Sequence, residues 1–243
     1  PGRDNVELWN VTIRNPGRKR RLISAFTYRH LILNDYQEEI VWKNIFSLYN
    51  FAEYDKKLRA IISRKSTWGW FGKFPYLAFT GSTARTVAWE CRKEGFWGPG
   101  ELQHRPAALD MGRLSNSSCN GENMVNCLQH DFSILPGGTV NFTIMGGVGR
   151  SKGEILDLLE KYRKKGQFER EKALVEAFWA KKFSRVWLET PDKRLNDFAN
   201  NWLKFQVHVA NSWSRSPSFY HEGMGGGRGY RDSCQDAEGM ISL

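Results

Sequence analysis

The period of the hydrophobic pattern changes near Ser151, and this change limits the possible folds more than any other feature of the sequence. Up to about residue 150, apolar and polar residues alternate in short runs that end at Gly, Pro or Asn, which is typical of strands joined by turns. Beyond it, apolar residues recur at i, i+3, i+4 and i+7, the spacing of one face of an α-helix. The sequence therefore predicts a β-rich first part and a helical second part.

The β-rich part contains two predicted hairpins. Val6 to Ile13 is rich in β-branched and aromatic residues, and Leu22 to Tyr28 is its predicted return strand after an Asn-Pro-Gly turn. Phe132 to Leu135 and Val140 to Met145 flank a Pro-Gly-Gly turn in the same way. Short strands with turn-rich connections predict a β-sandwich over residues 1–150.

The helical part contains three predicted helices. Gly166 separates the first from the second, and Thr190 is the predicted N-cap of the third, with Pro191 at its first helical position. The apolar faces of the first two consist of Ile155, Leu158, Leu159 and Tyr162 and of Leu174, Val175, Phe178 and Trp179. The stripe of the third is expected to be core and consists of Leu195, Phe198, Trp202, Phe205 and Val209.

Charge and cysteine content exclude few of the possible functions. The net charge of +10 suits a nucleic acid, an anionic membrane surface or a phosphate-bearing substrate, but many basic residues stand in short runs that usually form solvated faces, such as Arg18 to Arg21. No apolar run approaches the roughly 20 residues of a membrane span. The four cysteines have neither zinc nor redox spacing, so we expect reduced thiols in a cytoplasmic protein and no metal site.

The segment from Asn211 to Asp236 is the strongest functional candidate. It combines arginines, aspartates, aromatics and glycines, and its core reads Gly229-Tyr230-Arg231-Asp232-Ser233-Cys234-Gln235-Asp236. Arginine offers a planar set of donors and aspartate accepts at both oxygens, which suits adjacent sugar hydroxyls because each of them both donates and accepts. Glycine before the motif lets a ligand approach the backbone closely.

Other interpretations of this segment stay open at this point. Arg228 stands where a dinucleotide-binding fingerprint needs its third glycine, and no Gly-Lys-Ser/Thr follows as in a phosphate-binding P-loop. An Arg-Gly-rich RNA-binding tail or an ordinary surface loop with a salt bridge would use the same residue types. Composition alone favours the surface loop over a sugar site.

The motif resembles one that is found in the inverting β-glycoside phosphorylases, the family of cellobiose, cellodextrin and chitobiose phosphorylases (glycoside hydrolase family 94). Members carry Arg-Asp-x-x-Gln-Asp after a glycine loop, which matches Arg231, Asp232, Gln235 and Asp236 here, and Ser214 to Tyr220 is similar too. The resemblance extends upstream more loosely. Its further segments are Thr190-Pro191-Asp192, Asn201-Trp202-Leu203 and Gln206 at the start of the family's helical barrel, and Glu94 to Gly98 with Leu114-Ser115 in its sandwich domain.

This resemblance implies a multi-domain α+β architecture. A β-sandwich domain over 1–150 would be followed by a helical linker over 151–189 and by the first part of an (α/α)6 barrel catalytic domain over 190–243. The start at Pro1 without a methionine, and the end at Leu243 just past the motif, lead us to expect a piece of a longer polypeptide. In the family the sandwich domain takes part in a homodimer, which we expect here as well; aromatics such as Trp68 to Phe71 are the sequence's only support for it.

The implied activity is the reversible phosphorolysis of a β-linked glucose disaccharide or oligosaccharide, cellobiose- or cellodextrin-like, to a sugar 1-phosphate with inversion. By resemblance, Arg231 and Asp236 would grip the donor sugar, with Asp232 and Gln235 as neighbours that bind or orient. Arg215 and Tyr220 are further candidates for shaping the site. The family's general acid lies in an Asp-Trp-Asn-Asp segment that is absent from this sequence, so it is expected beyond Leu243, as are the phosphate-binding residues.

Phosphorolysis explains why so few catalytic groups are needed. An inverting hydrolase uses one carboxylic acid for the leaving oxygen and a second carboxylate to activate water. Inorganic phosphate is already a nucleophile, so it serves as co-substrate and no cofactor is expected. The main alternative is a non-catalytic carbohydrate-binding or interaction module, and a weaker one is a nucleic-acid binder, whose affinity would fall steeply with salt. We expect neither a nucleic acid nor a membrane as partner.

Overall fold

The computed structural model describes residues 4–33, 43–66, 75–100, 104–213 and 230–241. The chain divides into two compact units, Pro1–Glu171 and Lys172–Leu243. The first is built mainly of strands and the second of helices, so the predicted order of a β-sandwich followed by helices is confirmed. The finer division with boundaries at residues 150 and 189 stays a prediction.

The described residues of the first unit form ten strands. In chain order they are β1 Val6–Arg14, β2 Arg21–Phe26, β3 Arg29–His30, β4 Asn50–Asp55, β5 Ala60–Lys65, β6 Leu77–Ser82, β7 Ala88–Arg92, β8 Cys119–Asn120, β9 Met124–Ile134 and β10 Thr139–Gly149. Six of them form one antiparallel sheet in the order β1-β10-β6-β5-β4-β8. The second sheet is centred on β9, which pairs with β2, β3 and β7.

Both predicted hairpins are wrong in their pairing, although their strands exist. β1 pairs with β10 and β2 pairs with β9, so the Pro-Gly turn after β1 carries the chain from the first sheet to the second. The Pro-Gly-Gly turn between β9 and β10 carries it back. Turn residues specify a reversal of direction, but the strand partner is decided by which apolar faces can be buried together.

Buried Asn15 holds these two corners together. Its side-chain Nδ2 donates to the carbonyls of Ile134 at 3.0 Å and Leu135 at 3.2 Å, and to Lys19 at 2.8 Å. Its backbone N–H donates to the carbonyl of Gly138 at 2.9 Å. One buried amide thus satisfies carbonyls of both turns, which fixes the crossover between the sheets.

Apolar cores lie on both faces of the six-stranded sheet, as the alternation of strand side chains requires. Ile61 packs in a cluster with Met124 and Leu128 of the second sheet, whereas its neighbour Ile62 packs in a cluster on the opposite face. A fully buried polar chain crosses between the sheets, in which Ser63 donates to Asn126 at 2.7 Å and Asn126 donates to Thr80 at 3.1 Å. This chain specifies how the two sheets are aligned.

Short helices interrupt the strands of the first unit. They are α1 Lys43–Phe46, α2 Lys93–Trp97 and α3 Ala107–Met111, and the longer α4 Lys152–Tyr162 follows β10. The side chain of Ser151 caps α4 by accepting from the backbone N–H of Glu154. The predicted apolar face of α4 is confirmed, since Ile155, Leu159 and Tyr162 are buried against the six-stranded sheet.

The described helices beyond α4 are α5 Gln167–Phe183, α6 Lys193–Asp197, a π-helical turn at Phe198–Trp202, α7 Leu203–Trp213 and α8 Tyr230–Glu238. The predicted N-cap at Thr190 is wrong by two residues. Asp192 is the cap of α6, and its carboxylate accepts from the backbone N–H groups of Arg194 and Leu195. Among the described residues, no helix combines the length and the apolarity that crossing a membrane requires.

Candidate functional site

Helix α8 carries the Arg-Asp-x-x-Gln-Asp motif in its first turns. At 100° per residue, positions 231, 232, 235 and 236 fall within an arc of about 140° on this helix. Gln235 is exposed and Asp236 is half-buried. For Arg231 and Asp232 the structure describes the backbone but not the side chains. Arg215 and Tyr220 lie outside the described residues. The backbone therefore brings the four motif positions to one helix face, while the proposed contribution of Arg215 and Tyr220 stays a prediction.

The end of α8 packs directly on α7. A Cβ added to Gly239 would lie 2.9 Å from Cγ1 of Val207, which is closer than real Cβ atoms approach a neighbour. Glycine at this position therefore permits a close approach between the two helices. The placement of the motif helix depends directly on the placement of α7.

Three polar side chains hold α7 and the preceding turns to segment 186–190. We call Asn196, Asn200 and Lys204 the polar ladder. The side-chain Oδ1 of Asn200 accepts from the backbone N–H of Leu188 at 2.9 Å, and its Nδ2 donates to the carbonyl of Leu188 at 2.7 Å. Asn196 makes the same pair of contacts with Thr190, at 2.9 and 2.8 Å.

Lys204 forms the third member of the polar ladder. Its ammonium donates to the carbonyl of Phe183 at 2.7 Å and also to the carbonyl of Val186. The ammonium lies 5.6 Å from the centroid of the Trp187 ring, within the range of a cation–π interaction. Lys204 is only 6% exposed, so the carbonyls of Phe183 and Val186 and an aromatic face replace the water that such a charge requires.

An apolar groove of about 930 Å³ lies beside the polar ladder. Its aromatic lining consists of Trp179, Phe183, Trp187, Trp202 and Phe205, and Asp197 and Asn201 stand among the polar residues around them. His208 contacts Trp179 edge-on, and burial followed by the nearby Lys182 charge lowers the pKa of His208. The groove offers aromatic surface with a few hydrogen-bonding groups, a combination that sugars and apolar helices both accept.

The predicted core stripe of the third helix is not a core within the described residues. Phe198 is 49% exposed and Trp202 is 58% exposed, and Leu195, Leu203 and Phe205 are exposed as well. The apolar face of α5 is similar, since Phe178 is largely exposed. The periodicity identifies the apolar face correctly, but burial also requires a covering element, and the described residues of this unit leave the face mostly uncovered.

The two segments that resemble the family's sandwich domain meet at Glu90 on β7. The buried carboxylate of Glu90 accepts from the backbone N–H groups of Cys91 at 3.0 Å and Arg92 at 2.9 Å, and from the hydroxyl of Ser115. Gly95 belongs to α2, and a Cβ there would lie 2.5 Å from the carboxyl carbon of Glu90. The absence of a side chain at Gly95 therefore makes room for a buried, fully bonded carboxylate.

The four cysteines are free, and three of them, Cys91, Cys119 and Cys127, are buried. Burial raises the pKa of Cys91, Cys119 and Cys127, so these thiols stay protonated at neutral pH. Within the ranges that the structure describes, His, Cys, Asp and Glu side chains nowhere gather in threes as a metal ion would need.

Sequence reasoning missed the polar ladder altogether. It singled out Asn201, which is exposed and donates to Asp197 at 2.8 Å, whereas its neighbour Asn200 is 2% exposed and binds the backbone. The available signal was the spacing of four residues from Asn196 to Asn200 and from Asn200 to Lys204, which places polar groups along one side of a helix. Nothing in that spacing indicates that the partner is a backbone segment.

Comparison with known proteins extends over both units. The chain is 28% identical over 245 residues to the N,N′-diacetylchitobiose phosphorylase of Vibrio proteolyticus, 27% over 217 residues to the cellobionic acid phosphorylase of Neurospora crassa and 25% over 234 residues to the solabiose phosphorylase of Paenibacillus borealis. These alignments cover 98%, 86% and 96% of this chain, but only 29%, 26% and 29% of the relatives. The chain thus spans less than a third of the length of these curated relatives.

Two domain families match the two parts of the chain. Residues 1–165 match the supersandwich domain of glycosyl hydrolase 94, and residues 178–243 match the catalytic domain of the glycosyl hydrolase 94 superfamily. The first match covers the whole sandwich and α4, and the second covers the polar ladder, the apolar groove and the motif helix. The chain belongs to the glycosyl hydrolase 94 family.

Proposed function

We propose that this chain is part of an inverting phosphorylase that cleaves a β-linked glucose disaccharide or oligosaccharide with inorganic phosphate. Family membership supports the reaction class, and the gathering of the four motif positions on one face of α8 is the observation that carries the proposal. The relatives act on different disaccharides by their names, so a cellobiose- or cellodextrin-like substrate is the finer part of the proposal.

In the proposed reaction the motif holds the donor sugar. Arg231 would donate to sugar hydroxyls and Asp236 would accept from them, with Asp232 and Gln235 beside them. A general acid gives its proton to the glycosidic oxygen as the bond from that oxygen to the anomeric carbon breaks. A phosphate oxygen forms the new bond from the opposite face, which gives an α-configured sugar 1-phosphate. We place the general acid and the phosphate-binding residues beyond Leu243.

The uncovered apolar residues of the π-helical turn before α7 support a further part of this proposal. We assign residues 190–243, which include α6, this turn and α7, to the first part of an (α/α)6 barrel, in which additional helices would cover Phe198 and Trp202. Homodimerisation through the sandwich belongs to the same proposal. The aromatic residues that support it in the sequence, Trp68 to Phe71, lie outside the described residues. Sedimentation of the full-length polypeptide as a dimer at micromolar concentration is expected, and a monomer would remove the dimer from the proposal.

The reaction class is tested by product analysis on the full-length polypeptide. We expect phosphate-dependent release of an α-sugar 1-phosphate from one of a panel of β-linked substrates: cellobiose, cellodextrins, N,N′-diacetylchitobiose, solabiose and cellobionic acid. The anomeric configuration is read by NMR. The 243-residue chain alone should release none. Sugar binding that never depends on phosphate and never yields a sugar phosphate would instead support a non-catalytic carbohydrate-binding module.

The role of the motif is tested by replacing Asp236 with asparagine in the full-length polypeptide. A hydrogen bond to a charged group is worth about 1.5–3 kcal/mol, so its loss in the transition state should lower kcat/KM roughly tenfold to a hundredfold or more. Asp157→Asn is the matched control, because Asp157 is an exposed helical aspartate of α4 that lies outside the groove. An unchanged kcat/KM together with a lower Tm for Asp236→Asn would reduce the motif to a structural salt bridge.

A further inference from the structure

The polar ladder joins every fourth residue of a helical stretch to every second residue of segment 186–190. Asn196, Asn200 and Lys204 contact Thr190, Leu188 and Val186 in turn. The π-helical turn at Phe198–Trp202 lies within this stretch, and such turns change the direction of the side chains that follow.

The contacts of the polar ladder can form only when segment 186–190 runs in one direction and in one register relative to the helix. Asn200 and Asn196 each bind both the N–H and the carbonyl of one residue, so a shift of the segment by one residue would break all four bonds. Buried Asn200 would then be left without its donor and its acceptor, and buried Lys204 would lose one of its two carbonyls, which is costly in an apolar surrounding. The ladder therefore fixes where α7 begins and how it is rotated.

The position and rotation of α7 in turn determine the position of the motif helix α8. Lys204 stands in the first turn of α7, and Val207 lies three residues later, which makes them neighbours on the helix surface. Val207 is the residue against which Gly239, at the end of α8, packs so closely. A tilt or rotation of α7 would thus displace α8 and the motif positions on it.

We infer that Asn196, Asn200 and Lys204 are positioning residues for the sugar-binding motif, through their hold on segment 186–190 and the contact of α7 with α8. The inference rests on the proposed function, because it concerns the saccharide side of that reaction. Displacement of a substrate-holding group by about 1 Å can cost a hundredfold in rate. The ladder makes no contact with phosphate in this scheme, so only the saccharide should be affected.

The test uses Asn200→Leu and Lys204→Met in the full-length polypeptide, with kinetics measured well below the Tm of each variant. We expect KM for the saccharide to rise about tenfold and KM for phosphate to change less than about twofold, because a misplaced motif weakens one substrate only. Lys204→Arg should restore most of the loss, since guanidinium can donate to the carbonyls of Phe183 and Val186. Lys193→Met is the matched control, an exposed lysine at the start of α6 outside the groove, and should leave both constants unchanged.

Each outcome of this experiment either supports or overturns the positioning role of the polar ladder. A lower Tm with unchanged KM for the saccharide in both variants would make the ladder purely structural and overturn it. If either variant fails to fold, Asn196→Ala at the half-buried outer end of the ladder carries the same comparison. Failure of the proposed function is recognised separately, because then Asp236→Asn would also leave the saccharide kinetics unchanged.

Discussion

The side chain of Asn15 donates to the carbonyl of Ile134 at 3.0 Å across 119 positions of sequence. Asn15 ends the first strand of one sheet and Ile134 ends the central strand of the other. The bond therefore joins the two places at which the chain changes sheets, and a single amide takes part in both. A sandwich whose turns connect different sheets depends on such contacts, because neither turn closes a local hairpin.

Replacing Asn15 with aspartate should destabilise the sandwich. The two side chains have nearly the same shape, but the carboxylate cannot donate to the carbonyls of Lys19, Ile134 and Leu135. We expect the free energy of unfolding at pH 7 to fall by about 2–4 kcal/mol in urea titrations. The control is Asn141→Asp at an exposed position of β10, and an equal loss in both variants would contradict the assignment.

Replacing Gly95 with alanine should also destabilise the first unit. The new methyl group would stand 2.5 Å from the carboxyl carbon of buried Glu90, so α2 or the carboxylate must move. Overpacking of this kind costs about 1–3 kcal/mol. Gly153→Ala in α4 is a control for which we expect the opposite effect. The nearest atom to the added Cβ is Ser151 Oγ at 3.6 Å, so nothing has to move. Alanine in place of glycine should then raise the free energy of unfolding by about 0.5 kcal/mol. Thermal melts that show the two changes moving Tm in the same direction would refute this prediction.

Fully buried His130 should make the protein less stable at mildly acidic pH. Burial lowers the pKa of His130 in the folded state, whereas the unfolded chain binds the proton near its ordinary value of about 6.5. Its Nδ1 contacts the carbonyl of Arg85, and its ring packs with Phe132 and Phe142. The Arg85 carbonyl and, to a smaller extent, Asp131 raise the pKa of His130 but only partly offset the effect of burial. Below about pH 6.5 the unfolded state therefore gains protons that the folded state does not, and the free energy of unfolding falls.

The measurement is urea unfolding between pH 7.5 and 5 for the natural sequence and for His130→Phe. The variant should show a shallower pH dependence, by at most about 1.4 kcal/mol per pH unit. His208 also titrates with a lowered pKa, so the comparison of slopes, not the slope itself, is decisive. Identical slopes would show that His130 does not contribute.

The Asp4 carboxylate should contribute stability that is lost only in acid. Its Oδ2 accepts from Lys161 Nζ at 2.6 Å and from the Tyr162 hydroxyl at 2.7 Å, and these bonds, Lys161 first, lower the pKa of Asp4. The contribution is therefore complete above the unfolded value of about 3.8 and disappears as pH falls through the lower folded pKa. Asp4→Asn should lower the free energy of unfolding by about 1 kcal/mol at pH 7, since the pair is partly exposed.

The same Asp4 variant separates this ion pair from other acid-sensitive groups. The difference between the natural sequence and Asp4→Asn should shrink as the pH falls below the unfolded value of about 3.8, because Asp4 progressively binds a proton. Lys164→Ala, at an exposed lysine just beyond α4, is a control for loss of a nearby charge. A difference that persists unchanged from pH 7 to pH 2 would show that charge on Asp4 is irrelevant.

Local sequence patterns predicted elements much better than partners. The spacing of Ile155, Leu159 and Tyr162 identified α4 and its buried face, since a helix face is defined by residues a few positions apart. The same reasoning identified β1 and β10 as strands. It paired each with its neighbour in sequence, because alternation carries no information about a partner more than a hundred residues away.

The candidate site was predictable in part and for similar reasons. The motif residues were found by their residue types and by the resemblance to a family motif, and the backbone places their four positions on one helix face. The polar ladder escaped notice because Asn200 and Lys204 bind backbone groups, and a backbone partner leaves no signature of side-chain type in the sequence. The stripe containing Trp202 was correctly judged apolar, but its burial depends on elements that periodicity cannot supply.

The pairing of β1 with β10 also sets the order of events during synthesis. Val6 pairs with Gly147, so the first strand leaves the ribosome long before its partner exists. At ordinary elongation rates the wait is on the order of ten seconds. During that time the segment around exposed Trp9 is an unpaired, β-prone stretch that can associate with other nascent chains. The yield of folded protein should therefore depend on translation speed and on chaperones that bind the first 14 residues.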